Sequence, residues 1–269
     1  FGVGKYFTWT DNRTWYPEGR QVANTSQVGL QLAGAGMYIV ARDVFGAQIS
    51  LYDFVVLFPV YFGALTALVS FLLIRRIGGT SAGLLGSLVI AFSPPLIIRG
   101  NLGWFKSEPF ALFLSISALF LLLKALDSKT DRKRQIILGI LVGVLLGYAN
   151  ASWGGSQFFN IIIALSFFAL PFLRVDLSRI IPSAGSMISL TLLISSISPR
   201  PGISFVTSPI GLLLLGSMIF LLTANYVQSR VEVKQYMPSL FKILLSFGLL
   251  AALLLGLGFT SDVSGRYMT

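Results

Sequence analysis

From residue 53 onward, long apolar runs alternate with short polar stretches. Eight runs, at roughly 53–74, 80–98, 109–126, 135–153, 156–173, 180–198, 205–226 and 240–260, are each long enough to cross a bilayer as a helix. Helices are expected because lipid offers no partner to an open backbone. The alternation of barrel strands is missing. The pattern predicts an all-α fold, a polytopic transmembrane helical bundle with about eight spans.

Residues 1–52 break this pattern. Phe7-Thr8-Trp9-Thr10-Asp11-Asn12-Arg13-Thr14-Trp15-Tyr16-Pro17-Glu18-Gly19-Arg20 is aromatic and polar, with Pro and Gly punctuation. Such a stretch suits the membrane–water boundary. From about Thr25 to Val44 the chain is mildly apolar, with closely spaced Gly and Ala, and reads as short interfacial helices. Asn12 and Asn24 head Asn-x-Ser/Thr sequons here; Asn150 heads a third close to a span end.

The joint between the second and third runs is unusual. Pro94 and Pro95 open it, Gly100 and Gly103 loosen it, Pro109 closes it, and Arg99, Lys106 and Glu108 lie within ten positions. It is either an ordinary solvated connection or a place where a charged loop meets a substrate. Trp153-Gly154-Gly155 reads first as a tight turn between helices with an interfacial aromatic. Pro199-Arg200-Pro201 makes a further turn.

Basic residues set the expected orientation. With the leading segment on side one, the loops on side two carry Arg75, Arg76, Lys124, Lys129, Arg132, Lys133, Arg134, Arg174, Arg179, Arg230, Lys234 and Lys242. Side one carries Lys5, Arg13, Arg20, Arg42, Arg99, Lys106, Arg200 and Arg266, half of them in the long leading segment, which counts for less. Side two is therefore expected to be cytoplasmic. The 99–108 joint, the 153–155 and 199–201 turns and the tail from Asp262 would then face outward.

Composition sharpens the picture. The chain is 55% hydrophobic and 11% charged, far from a soluble domain. Its net charge of +10 fits cytoplasmic loops and anionic head groups, so no nucleic-acid partner is inferred. There is no Cys and no His. Any metal must sit on oxygen ligands, which favours ions of the Mg or Mn type. No carboxylate falls mid-span, which argues against a proton or sodium pathway.

Five stretches, in order, resemble the STT3/AglB/PglB family, the catalytic subunit of oligosaccharyltransferase. They are Thr14-Trp15-Tyr16-Pro17-Glu18-Gly19-Arg20; Phe62-Gly63-Ala64-Leu65-Thr66-Ala67; Gly83 through Pro94 and Arg99; Gly103-Trp104-Phe105-Lys106-Ser107-Glu108; and Ser152-Trp153-Gly154-Gly155. The fourth is most similar to archaeal members. The resemblance covers most of the chain to about Phe159, and resumes at Ser264-Gly265-Arg266-Tyr267.

The resemblance implies the membrane domain of a GT-C type glycosyltransferase. Residues 1–52 would be the first external loop, 53–260 the transmembrane helices, and 261–269 the start of a long external loop. The family transfers a dolichyl- or polyprenyl-linked oligosaccharide to Asn of Asn-x-Ser/Thr in acceptor proteins, outside the cytoplasm, with Mn2+ or Mg2+ held by carboxylates. The resemblance implies Glu108 as a metal ligand. By their charge Lys106, Arg99 and Arg200 are candidate contacts to the lipid diphosphate, each with ordinary loop charge as the other reading. Trp153, Gly154 and Gly155 are a structural motif.

One departure matters. The family's acidic pair here begins with Asp, where this chain has Lys106, and an ammonium cannot ligate a metal. The family's first acidic motif, the Glu motif of the long external loop and the Trp-Trp-Asp-Tyr-Gly motif are expected before Phe1 or after Thr269, so the fragment alone is expected to be inactive. A polyprenyl-phosphate-sugar monosaccharide transferase and a multispan transporter remain the other readings, since a multispan helical fold does not decide among them.

Overall fold

The computed structural model describes residues 3–127 and 129–256. The expected start of the long external loop at 261–269, with Asp262 and Ser264 to Tyr267, lies outside the described residues. Among the described residues the elements are helices apart from one two-stranded hairpin. Among the described residues six helices are long and apolar enough to cross a membrane: Leu51–Ala91, Ser107–Ala125, Arg132–Ser152, Gly154–Leu173, Leu177–Ile197 and Pro209–Arg230. The chain is thus a multi-pass membrane protein, and the expected count of eight was approximate.

The 41-residue helix α4, Leu51–Ala91, accounts for part of that difference. Gly79 leaves helical geometry at φ 83° and ψ 179°, a region open to glycine. A side chain added at Gly83 would meet Phe71 and Arg75, and one at Gly86 would meet Ile74. In a straight helix, residues 71 and 83 lie about 18 Å apart along the axis. The helix therefore doubles back at Gly79, and its arms match the first two expected spans.

The second arm stops at Ala91, short of the expected 98. Ser93 is extended (φ −63°, ψ 122°), as a residue before proline prefers. Pro94 and Pro95 then open a separate helix, α5, Pro94–Arg99, because proline is tolerated in a first turn and not in a helix interior. The 80–98 run is two helices.

The chain divides into two compact units. The first holds Phe1–Phe120, Tyr148–Ser156 and Ile197–Gly202. Its leading segment contains α1 (Val3–Phe7), the hairpin of β1 (Thr10–Asp11) with β2 (Arg20–Gln21), α2 (Val22–Thr25) and α3 (Gly29–Ile39). The strands pair antiparallel, Asp11 opposite Arg20. The unit's core is aromatic. Phe54, Phe58 and Phe62 recur every four residues along α4, forming one helical stripe. Phe105 packs edge-on to Phe58 at 5.1 Å, and Phe110 edge-on to Phe62 at 4.9 Å. Phe110 belongs to α6, Ser107–Ala125, and reaches Tyr148 of α7, Arg132–Ser152, at 6.0 Å.

The second unit holds Leu121–Gly147, Gln157–Ser196 and Ile203–Thr269. It contains most of α7 and α9 (Leu177–Ile197), with α8 (Gln157–Ala169), α10 (Ser204–Thr207), α11 (Pro209–Arg230) and α12 (Val233–Gly256). Helix α12 corresponds to the last expected span. Gly139, Gly143 and Gly147 of α7 face Ser183, Met187 and Thr191 of α9 so closely that no β-carbon fits between them. Fully buried Phe220 of α11 contacts Phe168 of α8 at 5.2 Å. Tyr236 of α12 donates its hydroxyl to the Pro171 carbonyl at 3.0 Å.

Candidate functional site

The site lies in the first unit, on the joint between α5 and α6. Three contacts fix the loop's path. The Gly103 N–H donates to the Val56 carbonyl at 3.0 Å. Val56 lies three residues before Pro59, which has no N–H to donate back into that turn. Gly103 needs φ +82°, which glycine supplies without strain. Phe105 then fills the space left by Gly34 of α3, where a β-carbon would lie 2.7 Å from its ring. At the head of α6, the Pro109 carbonyl accepts from Thr66 Oγ1 at 3.3 Å.

This path gathers the charges. The Arg99 guanidinium lies 5.8 Å from the Trp104 ring centroid and the Lys106 ammonium 5.7 Å from it, both within cation–π range. Arg99 Nε is 3.8 Å from Glu108 Oε1. That is an ion pair and too long for a hydrogen bond. The Glu108 side chain is 19% exposed and Arg99 47%. Glu108 Oε2 is buried and has no hydrogen-bond partner among the described residues. An orphan carboxylate oxygen is costly to bury, so this position suits a ligand that will coordinate it.

The fit to a divalent ion is partial. Glu108 fits one ligand position through Oε2. Lys106 does not fit, being an ammonium held over Trp104. Among the described residues no three Asp or Glu side chains converge as a metal group would require. One carboxylate is what this part of the chain offers.

A second cluster rests on Thr25–Gly29. Tyr148 donates its hydroxyl to the Gly29 carbonyl at 2.8 Å. A side chain at Gly29 would overlap Ser152, and one at Gly154 would lie 3.1 Å from Gln27 Nε2. Trp153 covers Gly155 so closely that a β-carbon there would strike its ring. The Trp153-Gly154-Gly155 turn is thus closely packed, against Gln27 and under its own Trp153 ring. Arg200 donates to the Thr25 carbonyl at 3.3 Å. Arg20 donates Nε to Thr25 Oγ1 at 2.8 Å and Nη2 to Ser26 Oγ, and stands over Trp15 at 5.7 Å.

The structure therefore joins Arg99, Lys106 and Glu108 around Trp104, and places Arg200 with Trp153, Gly154 and Gly155 in the other cluster. Both lean on α3, at Gly34 and Gly29, about 7.5 Å apart along its axis. Sequence reasoning missed Trp104 as the shared partner of two cations and Arg20 as the neighbour of Arg200. The first had a signal, an aromatic between two basic residues. The second runs through the Arg200–Thr25 bond, between positions 175 apart in sequence.

Residues 3–267 match the family described as oligosaccharyl transferase STT3, N-terminal. The chain belongs to that family. Over 166 residues it is 30% identical to the STT3 subunit of the Saccharomyces cerevisiae dolichyl-diphosphooligosaccharide–protein glycosyltransferase, covering 62% of this chain and 22% of the yeast protein. It is similar in fold to the oligosaccharyltransferase of Archaeoglobus fulgidus crystallised with Zn and sulfate: TM-score 0.70, 24% identity, 95% of this chain and 34% of that one. A second structure of that archaeal enzyme, AglB, was solved with an inhibitory peptide and a dolichol-phosphate; there the TM-score is 0.65 and identity 22%, over 95% of this chain and 32% of the other. This STT3 family chain spans between 19% and 35% of the length of four curated relatives it matches.

Proposed function

We propose that this chain is the membrane part of an oligosaccharyltransferase, which moves an oligosaccharide from a lipid carrier to the Asn of Asn-x-Ser/Thr sequons. The observation that carries this reading is Glu108. An STT3 family chain holds a half-buried carboxylate with one orphan oxygen, at the head of α6, beside two cations on one aromatic ring. The match to an enzyme crystallised with Zn and sulfate, and to one solved with dolichol-phosphate, supports a divalent ion and a phosphate-bearing lipid.

Each residue then has a task. Glu108 would hold the ion through Oε2, and the other ligands would come from the rest of the full-length protein. A bound Mn2+ or Mg2+ supplies charge neutralisation at a departing diphosphate. Arg99 and Lys106 hold cations beside that position and favour an anionic donor. Trp104 keeps both cations near Glu108. Arg200 offers a cation from the second cluster. The polar leading segment, residues 1–52, and the turns at 153–155 and 199–201 belong to the same unit, which supports one shared face. With the basic residues of the other loops in the cytoplasm, that face lies outside.

The test uses the full-length protein. Transfer from a lipid-linked oligosaccharide extract to a fluorescent Asn-x-Thr peptide is measured with Mn2+ and with EDTA, for the native sequence and for Glu108→Ala. The proposal expects metal-dependent glycopeptide that falls sharply in the variant. Full activity in Glu108→Ala would remove Glu108 from the site, and no glycopeptide under any condition would remove the transferase reading.

A further inference from the structure

Among the described residues Arg20 is a guanidinium without a carboxylate counter-ion, although Asp11 stands directly opposite on the partner strand. Asp11 turns its carboxylate back into its own turn, where it accepts from Arg13 N–H and from Thr14 Oγ1, each at 3.0 Å. Arg20 is held by neutral groups, the hydroxyls of Thr25 and Ser26 and the face of Trp15. These fix its orientation without cancelling its charge.

A second guanidinium meets it on the same residue. Arg200 bonds the Thr25 carbonyl while Arg20 bonds the Thr25 hydroxyl. The Thr25 hydroxyl is itself pinned, donating to the Gln21 carbonyl at 2.6 Å. Two like charges brought to one residue repel, and the arrangement suits an anion that bridges them. The Tyr6 hydroxyl is buried without a hydrogen-bond partner among the described residues. Burial raises its pKa and the Arg20 charge pulls it back.

We propose that Arg20 and Arg200, gathered on Thr25, form a phosphate-binding seat separate from the Glu108 carboxylate. Paired guanidinium forks match the several oxygens of a phosphate better than a single point charge would. The Tyr6 hydroxyl offers a further donor from the buried side. The seat lies beside Trp9, Trp15 and Tyr16, which are 52%, 64% and 89% exposed. Exposed aromatics of this kind sit at head-group depth. The phosphate therefore comes from a lipid head group or from free phosphate in the surrounding water. The seat requires no transfer chemistry and is read by binding alone.

The experiment measures the thermal unfolding midpoint of the full-length protein in an uncharged, phosphate-free detergent. One arm titrates sodium phosphate against sodium chloride at equal ionic strength. The other titrates short-chain phosphatidylglycerol. The expected result is a rise in midpoint in at least one arm, with half-saturation about tenfold weaker in Arg20→Gln and in Arg200→Gln, the loss of one charge-assisted contact each. A response to lipid alone assigns the head group; a response to both assigns phosphate from either source. Arg42→Gln, an exposed arginine already paired with Asp43, responds as the native protein does, so a general salt effect is separated from the seat. Arg20→Lys keeps the charge without the fork and falls between native and Arg20→Gln. Unchanged half-saturation in both glutamine variants, or no stabilisation in either arm, overturns the proposal.

Discussion

Gly143 lies against the backbone of Met187: a β-carbon added there would sit 2.6 Å from the Met187 carbonyl oxygen. Gly139, one turn before, meets the Ser183 backbone in the same way, and Gly147, one turn after, meets the Ile194 side chain. In lipid there is little hydrophobic drive to bring two helices together, so close backbone packing and its dispersion contacts hold them. Gly143→Val is therefore expected to destabilise the second unit by about 1–3 kcal/mol, the usual cost of overpacking. Gly63 of α4 has no atom within 4 Å of an added β-carbon. Gly63→Ala should be neutral or stabilising by about 0.5–1 kcal/mol, because glycine costs that much inside a helix. Thermal unfolding in detergent compares the two; equal losses would show that the α7–α9 approach is looser than described.

The loop carrying Trp104 should resist exchange at one point. Gly103 N–H is bonded to Val56 and the segment is locked by Phe105 against Gly34 and Phe58. Most surface-loop amides exchange rapidly, whereas a bonded amide opens only when its contacts break. Hydrogen–deuterium exchange is expected to show Gly103 protected in the native chain and to lose that protection in Phe105→Ala. The unprotected neighbours Leu102 and Asn101 serve as internal reference. An amide at Gly103 that exchanges as fast as theirs in the native chain would remove the anchor.

The spans were legible because lipid demands long apolar helices, and length alone marks them. The break at Ser93-Pro94 was written in the sequence as well, and the 80–98 expectation ran through it because hydropathy ignores backbone chemistry. Arg99, Lys106 and Glu108 were legible as neighbours because they share one short loop. Their arrangement around Trp104 was not, since it depends on a left-handed Gly103 and on a carbonyl of α4. Gly139, Gly143 and Gly147 show their four-residue spacing in the sequence. Nothing in that spacing names α9 as the partner. Arg20 and Arg200 meet only because two turns pack on Thr25, a tertiary fact.

Asp176 caps the start of α9 and should give a small acid-sensitive term. Its Oδ1 accepts from the Ser178 hydroxyl at 2.6 Å and the Ser178 N–H at 3.2 Å, and Arg179 lies 3.2 Å from Oδ2. The Ser178 hydroxyl above all, then its N–H and the Arg179 charge, hold the carboxyl below its ordinary 3.8. A depressed folded pKa means the contribution is present above the unfolded value and lost as pH falls through the folded one. The residue is well exposed, so the effect stays under about 1 kcal/mol. Asp176→Asn should lower the unfolding midpoint at pH 7, and the difference from the native protein should shrink as pH falls below 3.8. Parallel curves across that range would deny the cap its role.

Arg99 and Glu108 should act with opposite sign on a divalent ion. Arg99 Nε stands 3.8 Å from Glu108 Oε1 while Oε2 has no partner. A cation at that distance competes electrostatically with an incoming ion, yet it satisfies neither oxygen with a hydrogen bond. Glu108→Gln in the full-length protein should weaken Mn2+ binding by at least the tenfold to about a hundredfold that loss of a residue merely orienting a ligand costs. Arg99→Gln should strengthen it, by only a few-fold because Arg99 is half exposed and screened. Lys106→Asp restores a carboxylate where the family has one, and should strengthen binding further by adding an oxygen ligand beside Glu108. Mn2+ titration followed by electron paramagnetic resonance reads all three without requiring transfer. If Arg99→Gln weakened binding as Glu108→Gln does, Arg99 would be holding the carboxylate in place for the ion and not competing with it.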